Sequence, residues 1–256
     1  LGNTIKKVEA AALAAIEERQ SSPRLGGVAP EEGSPEGRPV MASEIGYVQG
    51  LDVPGLQSCA EGSGLRVTVA ALPGAFCTPD RPLAHVAADD GGEVSDQDVA
   101  AVATAFRIGQ DRTFESDPRF GLVVLSEIAS RALSPAVNDP GTAIDVTGSL
   151  SRLLARWAAL EDVDGESRYD RVAVPRLDTE DLFDDAFTGI ARDGAATIEV
   201  GIRLQKVLTS LALLGDPATR EAARRHAGLA LARAERALTF PPDLETLRGV
   251  ADAADR

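Results

Sequence analysis

Lysine is nearly absent from this chain. Of its 26 basic residues only Lys6, Lys7 and Lys206 are lysines. No lysine stands between Lys7 and Lys206 to carry a swinging-arm cofactor. Cysteine and histidine are as scarce, with two of each. Cys59 and Cys77 supply neither a disulfide framework nor a zinc quartet, and read best as buried free thiols. His85 and His226 lie far apart in sequence, too few for a histidine-rich metal site. No Walker loop, Gly-x-Ser-x-Gly elbow or dinucleotide fingerprint occurs. The longest apolar runs, such as Val207 to Leu214, fall short of the ~20 residues that a membrane span needs. Positive charge is also in deficit: 26 basic against 40 acidic residues leave a net charge of -14. Such a surface repels phosphate backbones and anionic lipid, which argues against nucleic-acid binding and against lying on a membrane leaflet.

What is present divides into four stretches. Residues 1–20 read as one helix: Leu1, Ile5, Val8, Ala12 and Ala15 recur at helical spacing, the mark of an apolar face or a coiled-coil seam. The chain opens inside this pattern, with no Met and no N-cap. The expectation is a part of a longer protein. Residues 21–39 are rich in Ser, Pro, Gly and Glu and read as a flexible linker. Residues 40–88 carry strand signals: Ile45 to Leu51, the period-two run Leu65 to Val69, and short strands at Phe76-Cys77 and Pro82 to Val86. Asp52 is placed to cap a helix to about Ala60, and Pro73-Gly74 is a turn signal. The stretch Leu72 to Ala84 is similar to the hairpin of barrel-sandwich folds, whose carrier members need the lysine that is missing here.

Residues 95–256 read as helical. Val99, Val102, Ala103, Phe106 and Ile108 fit one helix face. Helices are then expected over Phe120 to Leu133, Thr142 to Leu160, Asp181 to Arg192, Thr197 to Leu214 and Ala218 to Leu238. Asp89 to Glu93 and Glu161 to Asp170 read as acidic loops. Asp-Pro pairs at 117–118, 139–140 and 216–217 mark helix starts, because Asp caps free amides and Pro loses no hydrogen bond at the first helical position. The fold class is therefore mainly α with a small β module (α+β): a multi-helix domain plus a short-stranded, barrel-sandwich-like β subdomain.

Two stretches concentrate polar chemistry. Ser134, Asn138, Asp139 and Thr142 crowd one interhelical turn, where hydroxyl, amide and carboxylate oxygens can hold a small anion or ion beside a helix N-terminus. The competing reading is that they only satisfy backbone at a tight turn, and the residues alone favour it. Arg107 and Arg112 are planar forks suited to an anionic ligand, although intramolecular ion pairs suit so acidic a chain better. Asp181 and Asp185, one turn apart, offer oxygen ligands to a divalent ion, against the simpler reading of a solvated acidic face. No catalytic constellation, metal set or cofactor follows from these residues.

Gly46-Tyr47-Val48-Gln49-Gly50-Leu51-Asp52, the Pro73-Gly74 hairpin, Phe106 to Gln110, Arg112-Thr113, Asp117-Pro118 and Ala132 to Ala143 resemble, in that order, domain of unknown function 2254, a family of predicted bacterial membrane proteins. The resemblance implies transmembrane helices preceding this chain, with residues 1–20 leaving the last span. It also implies an inner-membrane protein whose present region is cytoplasmic, an orientation that Lys6-Lys7 fits by the positive-inside rule. It brings no reaction and no functional residues. Three readings follow: a domain that assembles with itself and supports or regulates its own transmembrane region, a small-anion sensor, and, third, a carboxylate- and metal-dependent hydrolase centred on Asp139.

Overall fold

The computed structural model describes residues 2–33, 37–159 and 167–253. In chain order they form α1 (Gly2–Ser21), β1 (Gly27–Val28), β2 (Arg38–Met41), β3 (Gly46–Leu51), α2 (Val53–Ser63), β4 (Leu65–Val69), β5 (Phe76–Cys77), β6 (Pro82–Ala88), α3 (Asp96–Ala103) and β7 (Phe106–Gly109). Helices then dominate: α4 (Pro118–Ala132), α5 (Pro140–Ala159), β8 (Tyr169–Ala173), α6 (Thr179–Asp193), α7 (Ile198–Leu214), α8 (Pro217–Ala237) and α9 (Pro241–Asp252). The class is α+β and mainly helical, as expected. The chain divides into two compact units. Unit 1 comprises Leu1–Ile16, Gly121–Glu161 and Asp178–Arg256; unit 2 comprises Glu17–Phe120 and Asp162–Leu177.

Unit 1 is all-helical. The face expected on α1 is the one it buries, with Ile5, Ala12 and Ile16 joining Leu122, Leu125, Leu150, Leu154, Phe183, Phe187 and Leu208 in one core. Glu9 on α1 accepts from Arg152 Nε at 2.6 Å and from Ser149 Oγ at 2.7 Å. The Arg152 hydrogen bond holds the Glu9 carboxyl below its ordinary range. All three Asp-Pro pairs start helices, with Pro118, Pro140 and Pro217 as first residues. The aspartate at each accepts backbone N–H groups from the first turn, such as Thr219 N to Asp216 at 2.7 Å. Helix α9 gave no sequence signal: it buries one residue, Leu247, and opens on Pro241-Pro242 after Phe240, whose side chain makes no capping bond.

Unit 2 holds a five-stranded mixed sheet of order β1-β8-β4-β6-β2 and a three-stranded antiparallel sheet of order β5-β3-β7. The alternation read at Leu65, Val67 and Val69 is the buried face of β4. In register, Val67 faces Val86 on one side and Val172 on the other. β8 runs parallel to β4, and buried Gln57 on α2 fixes it. The Gln57 amide donates to Asp170 Oδ1 at 2.7 Å, and its carbonyl accepts from Arg171 N at 3.0 Å.

Several local expectations need correction. Phe106 and Ile108 do not continue the α3 helix; they lie in β7, paired antiparallel with β3. A residue four positions after Val102 falls on the same side under either a helical or an alternating period, so spacing could not separate the two. The stretch 21–39 carries β1 and the start of β2. The acidic stretch 161–170 ends in β8; residues 161–166 lie outside the described residues, as do Leu1, Leu160 and 34–36. Both cysteines are free thiols, Cys77 buried and Cys59 half-buried.

Within unit 1 a Cβ added at Gly121 would lie 2.3 Å from Ala12 Cβ, so α1 and α4 approach closely there. Gly121→Val should lower unfolding stability by about 1–3 kcal/mol through overpacking, despite valine's better helix propensity. Urea denaturation checks this; an unchanged midpoint would show that the two helices do not touch at this point.

Candidate functional site

The polar turn between α4 and α5 uses its groups internally. Ser134 Oγ donates to Arg131 O at 2.7 Å, and Asn138 N donates to Ser134 O at 2.8 Å. Asn138 takes the left-handed conformation, φ 49°, which short polar side chains tolerate. Asp139 accepts from Thr142 N at 3.1 Å and from Thr142 Oγ1 at 2.6 Å. The Thr142 hydroxyl, aided by backbone amides, holds the Asp139 carboxyl below its usual range. Asp139 and Thr142 thus cap α5, while Ser134 bonds the last turn of α4 and Asn138 makes the left-handed turn between them.

Arg107 and Arg112 belong to unit 2, whereas the turn belongs to unit 1. Arg107 is exposed on β7, and its Nη2 donates to Gln49 O at 3.3 Å. Arg112 grips Asp117 with both prongs of its fork, Nε to Oδ2 at 2.7 Å and Nη2 to Oδ1 at 3.0 Å. Its guanidinium also lies 5.3 Å from the centroid of the Phe120 ring. Asp117 is 2% exposed. Besides the fork it accepts from the amides of Arg119 and Phe120, capping α4. Arg19, which the sequence did not single out, is 3% exposed and donates through Nη2 to Ser116 O at 3.2 Å. Burial pushes its guanidinium down to about 10, with the Asp117 charge pulling the other way. Arg19 Nη1 and Thr113 Oγ1 are buried without a hydrogen-bond partner among the described residues.

A second cluster forms in unit 1, between α6 and α8. Asp178 caps α6 by accepting from Glu180 N. Glu180 and Asp184 then share a face, one turn apart. His226 sits on the buried face of α8 and is 2% exposed. Its Nε2 lies 3.0 Å from Glu180 Oε1 and 3.4 Å from Asp184 Oδ1. Phe183 backs the imidazole at 5.9 Å between ring centroids. Arg225 Nη1 bonds Glu180 Oε1 and lies 3.9 Å from Asp184 Oδ1. Burial pushes the His226 pKa down, opposed by Asp184 and reinforced by Arg225 and Arg233. The neutral imidazole is thereby favoured at neutral pH. The acidic pair singled out from sequence was Asp181 and Asp185; the carboxylates that converge on the histidine are each one residue earlier. A lone histidine on an alanine-rich face carried no spacing that would connect it with α6.

Unit 2 also has a cleft of about 780 Å³. Its lining includes Ser21, Ser22, Arg24, Gly26, Arg168 and Tyr169. Arg24 Nη1 donates to Val174 O at 3.0 Å.

The family described as "Predicted membrane protein (DUF2254)" matches residues 1–210. An uncharacterized protein of Mycobacterium bovis is 32% identical over 234 residues, covering 84% of this chain and 43% of that relative. An uncharacterized protein of Mycobacterium tuberculosis matches to the same extent. The chain thus spans less than half the length of these relatives. No solved structure matches it.

Removing Asp117 would leave the half-buried Arg112 fork unpaired and take away the carboxylate charge nearest the buried Arg19. Asp117→Ala should therefore cost about 3–5 kcal/mol of stability, the scale for breaking a buried ion pair. Chemical denaturation measures it, and a loss under about 1 kcal/mol would reduce the pair to a surface-like contact.

Proposed function

Because the chain belongs to the DUF2254 family of predicted membrane proteins, we propose that it is the cytoplasmic, non-membrane part of a multi-pass bacterial inner-membrane protein. In this reading it assembles with a second copy of itself and regulates the membrane-crossing part, where any transport or channel activity resides. The carrying observation is the match in length. The match covers 43% of each relative's length, in a family whose description is of membrane proteins. Among the described residues no helix is long and apolar enough to cross a bilayer. Lys6 and Lys7 near the start of α1 fit a cytoplasmic exit. Self-assembly is favoured by Leu213 and Leu214 at the end of α7, which are 76% and 71% exposed. Apolar side chains this open, next to one another, suit a protein interface.

Topology reporters fused to the C-terminus of the full-length protein test the orientation. Fluorescence from a cytoplasm-dependent reporter is expected, without activity from a periplasm-dependent phosphatase; the reverse pattern overturns the reading. Light scattering of the same protein in detergent should give more than one copy, reduced to one by Leu213→Glu with Leu214→Glu. A monomeric wild type removes the assembly role.

A second reading, sensing of a small anion, is favoured by the cleft that Arg24 and Arg168 line. Phosphate and nucleotides should then raise the melting temperature, by an amount equivalent to ~2.7 kcal/mol at a hundred times the dissociation constant. Arg168→Ala should remove the shift, and no shift with any of them ends this reading.

A further inference from the structure

We propose that Glu180, Asp184 and His226 form a binding site for one divalent transition-metal ion of the zinc and manganese class, which competes with Arg225 for the same carboxylates. The inference rests on unit 1 alone and does not depend on membrane topology or assembly.

The donor set is the first argument. One imidazole nitrogen and two carboxylate oxygens suit zinc, manganese or ferrous iron, whereas calcium and magnesium favour oxygen alone. The three ligand atoms lie within 4.8 Å of one another. A tetrahedral ion with bonds of ~2.0 Å needs ligand atoms ~3.3 Å apart. The separations of His226 Nε2 from Glu180 Oε1 and from Asp184 Oδ1, 3.0 and 3.4 Å, bracket that figure. The third separation, between the two carboxylate oxygens, lies within 4.8 Å, so any closing of the shell falls to the two half-exposed carboxylates and not to the buried imidazole.

Preorganisation is the second argument. Catalytic and regulatory metal sites use three protein ligands and keep a further position for water or a ligand. Here the imidazole is fixed, buried at 2% exposure and backed by Phe183. The Glu180 and Asp184 side chains are 32% and 48% exposed, so the site opens to solvent on the side away from the core. Thr188 Oγ1, one turn further along α6, donates to Asp184 Oδ1 at 3.0 Å and steadies that carboxylate.

Charge is the third. Arg225 is the cation now facing the two carboxylates, and its side chain is 50% exposed. It bonds Glu180 but reaches Asp184 only at 3.9 Å, so one carboxylate is incompletely matched. A divalent ion between the three donors balances both, and a flexible, half-exposed arginine can swing into water to admit it. The arginine then sets the affinity: metal binds only where it outcompetes a tethered guanidinium.

Titration of untagged, chelator-stripped protein with zinc, manganese, magnesium and calcium chlorides tests this by calorimetry. Zinc should bind at one equivalent per chain, with magnesium and calcium at least tenfold weaker. Cobalt as a zinc substitute should give the intense visible absorption of a tetrahedral site with a nitrogen ligand. Glu180→Gln at a half-buried position and Asp184→Asn at an exposed one should each weaken zinc binding at least tenfold, with the circular dichroism spectrum unchanged. His226→Gln should abolish the cobalt spectrum. Arg225→Gln should tighten zinc binding, whereas a purely structural role for this network predicts no gain. No binding at one equivalent overturns the proposal, as does binding unaffected by Glu180→Gln and Asp184→Asn, which would mark diffuse capture by a chain of net charge -14. Weaker binding in Arg225→Gln overturns the competition.

Discussion

A single buried carboxylate organises one side of unit 2. Asp117 ends the loop that follows β7, caps α4, and takes both prongs of Arg112. The Arg19 charge stands close enough to be held up by it. Gly74, at φ 96°, presses against the same group: a Cβ there would lie 2.4 Å from Asp117 Oδ2. The Pro73-Gly74 turn, the end of α1, the 110–117 loop and the start of α4 therefore meet at one side chain. Ionised groups buried to this degree survive only where hydrogen bonds replace their lost water. Asp117 obtains its hydrogen bonds from two of these segments, the Arg112 fork in the loop and the first amides of α4; Gly74 adds a close approach and Arg19 a nearby charge.

The helices were the most legible part of the sequence, because Asp-Pro pairs at 117–118, 139–140 and 216–217 state their starts chemically and not only by periodicity. The strongest strand, Leu65 to Val69, was legible for the same kind of reason: it alternates cleanly. β7 was not, since its four residues extend a pattern that a helix also satisfies. β1 and β8 have no independent signal; they become strands by pairing across more than a hundred residues, and no local rule reports a partner so remote.

Site legibility followed the same division. Groups that act on their own neighbourhood could be read, as with the internal use of Ser134, Asp139 and Thr142 and the ion pairing of Arg112. The convergence of Glu180, Asp184 and His226 required the packing of α6 on α8. Helical spacing placed acidic residues on a common face but left the choice of face open by one position. That choice is made by Leu182, Phe183, Ala186 and Phe187, which all go to the core and leave Glu180 and Asp184 beside α8.

Neighbouring strands of the five-stranded sheet are made far apart in time, since β4 ends at Val69 and β8 begins at Tyr169. β4 lies between β6 and β8, and β8 follows α5 by sequence. Until residue 173 has left the ribosome, one edge of β4 has no partner, and β1 has none at all. An unpaired, apolar strand edge invites association with other chains. The nascent chain thus passes through a stage in which β1 to β7 have all been made while the five-stranded sheet is still open. Cutting the gene between the β-rich and the helix-rich stretches would make that stage permanent. Expression of either part alone would then report on aggregation of an incomplete sheet more than on the function of a domain.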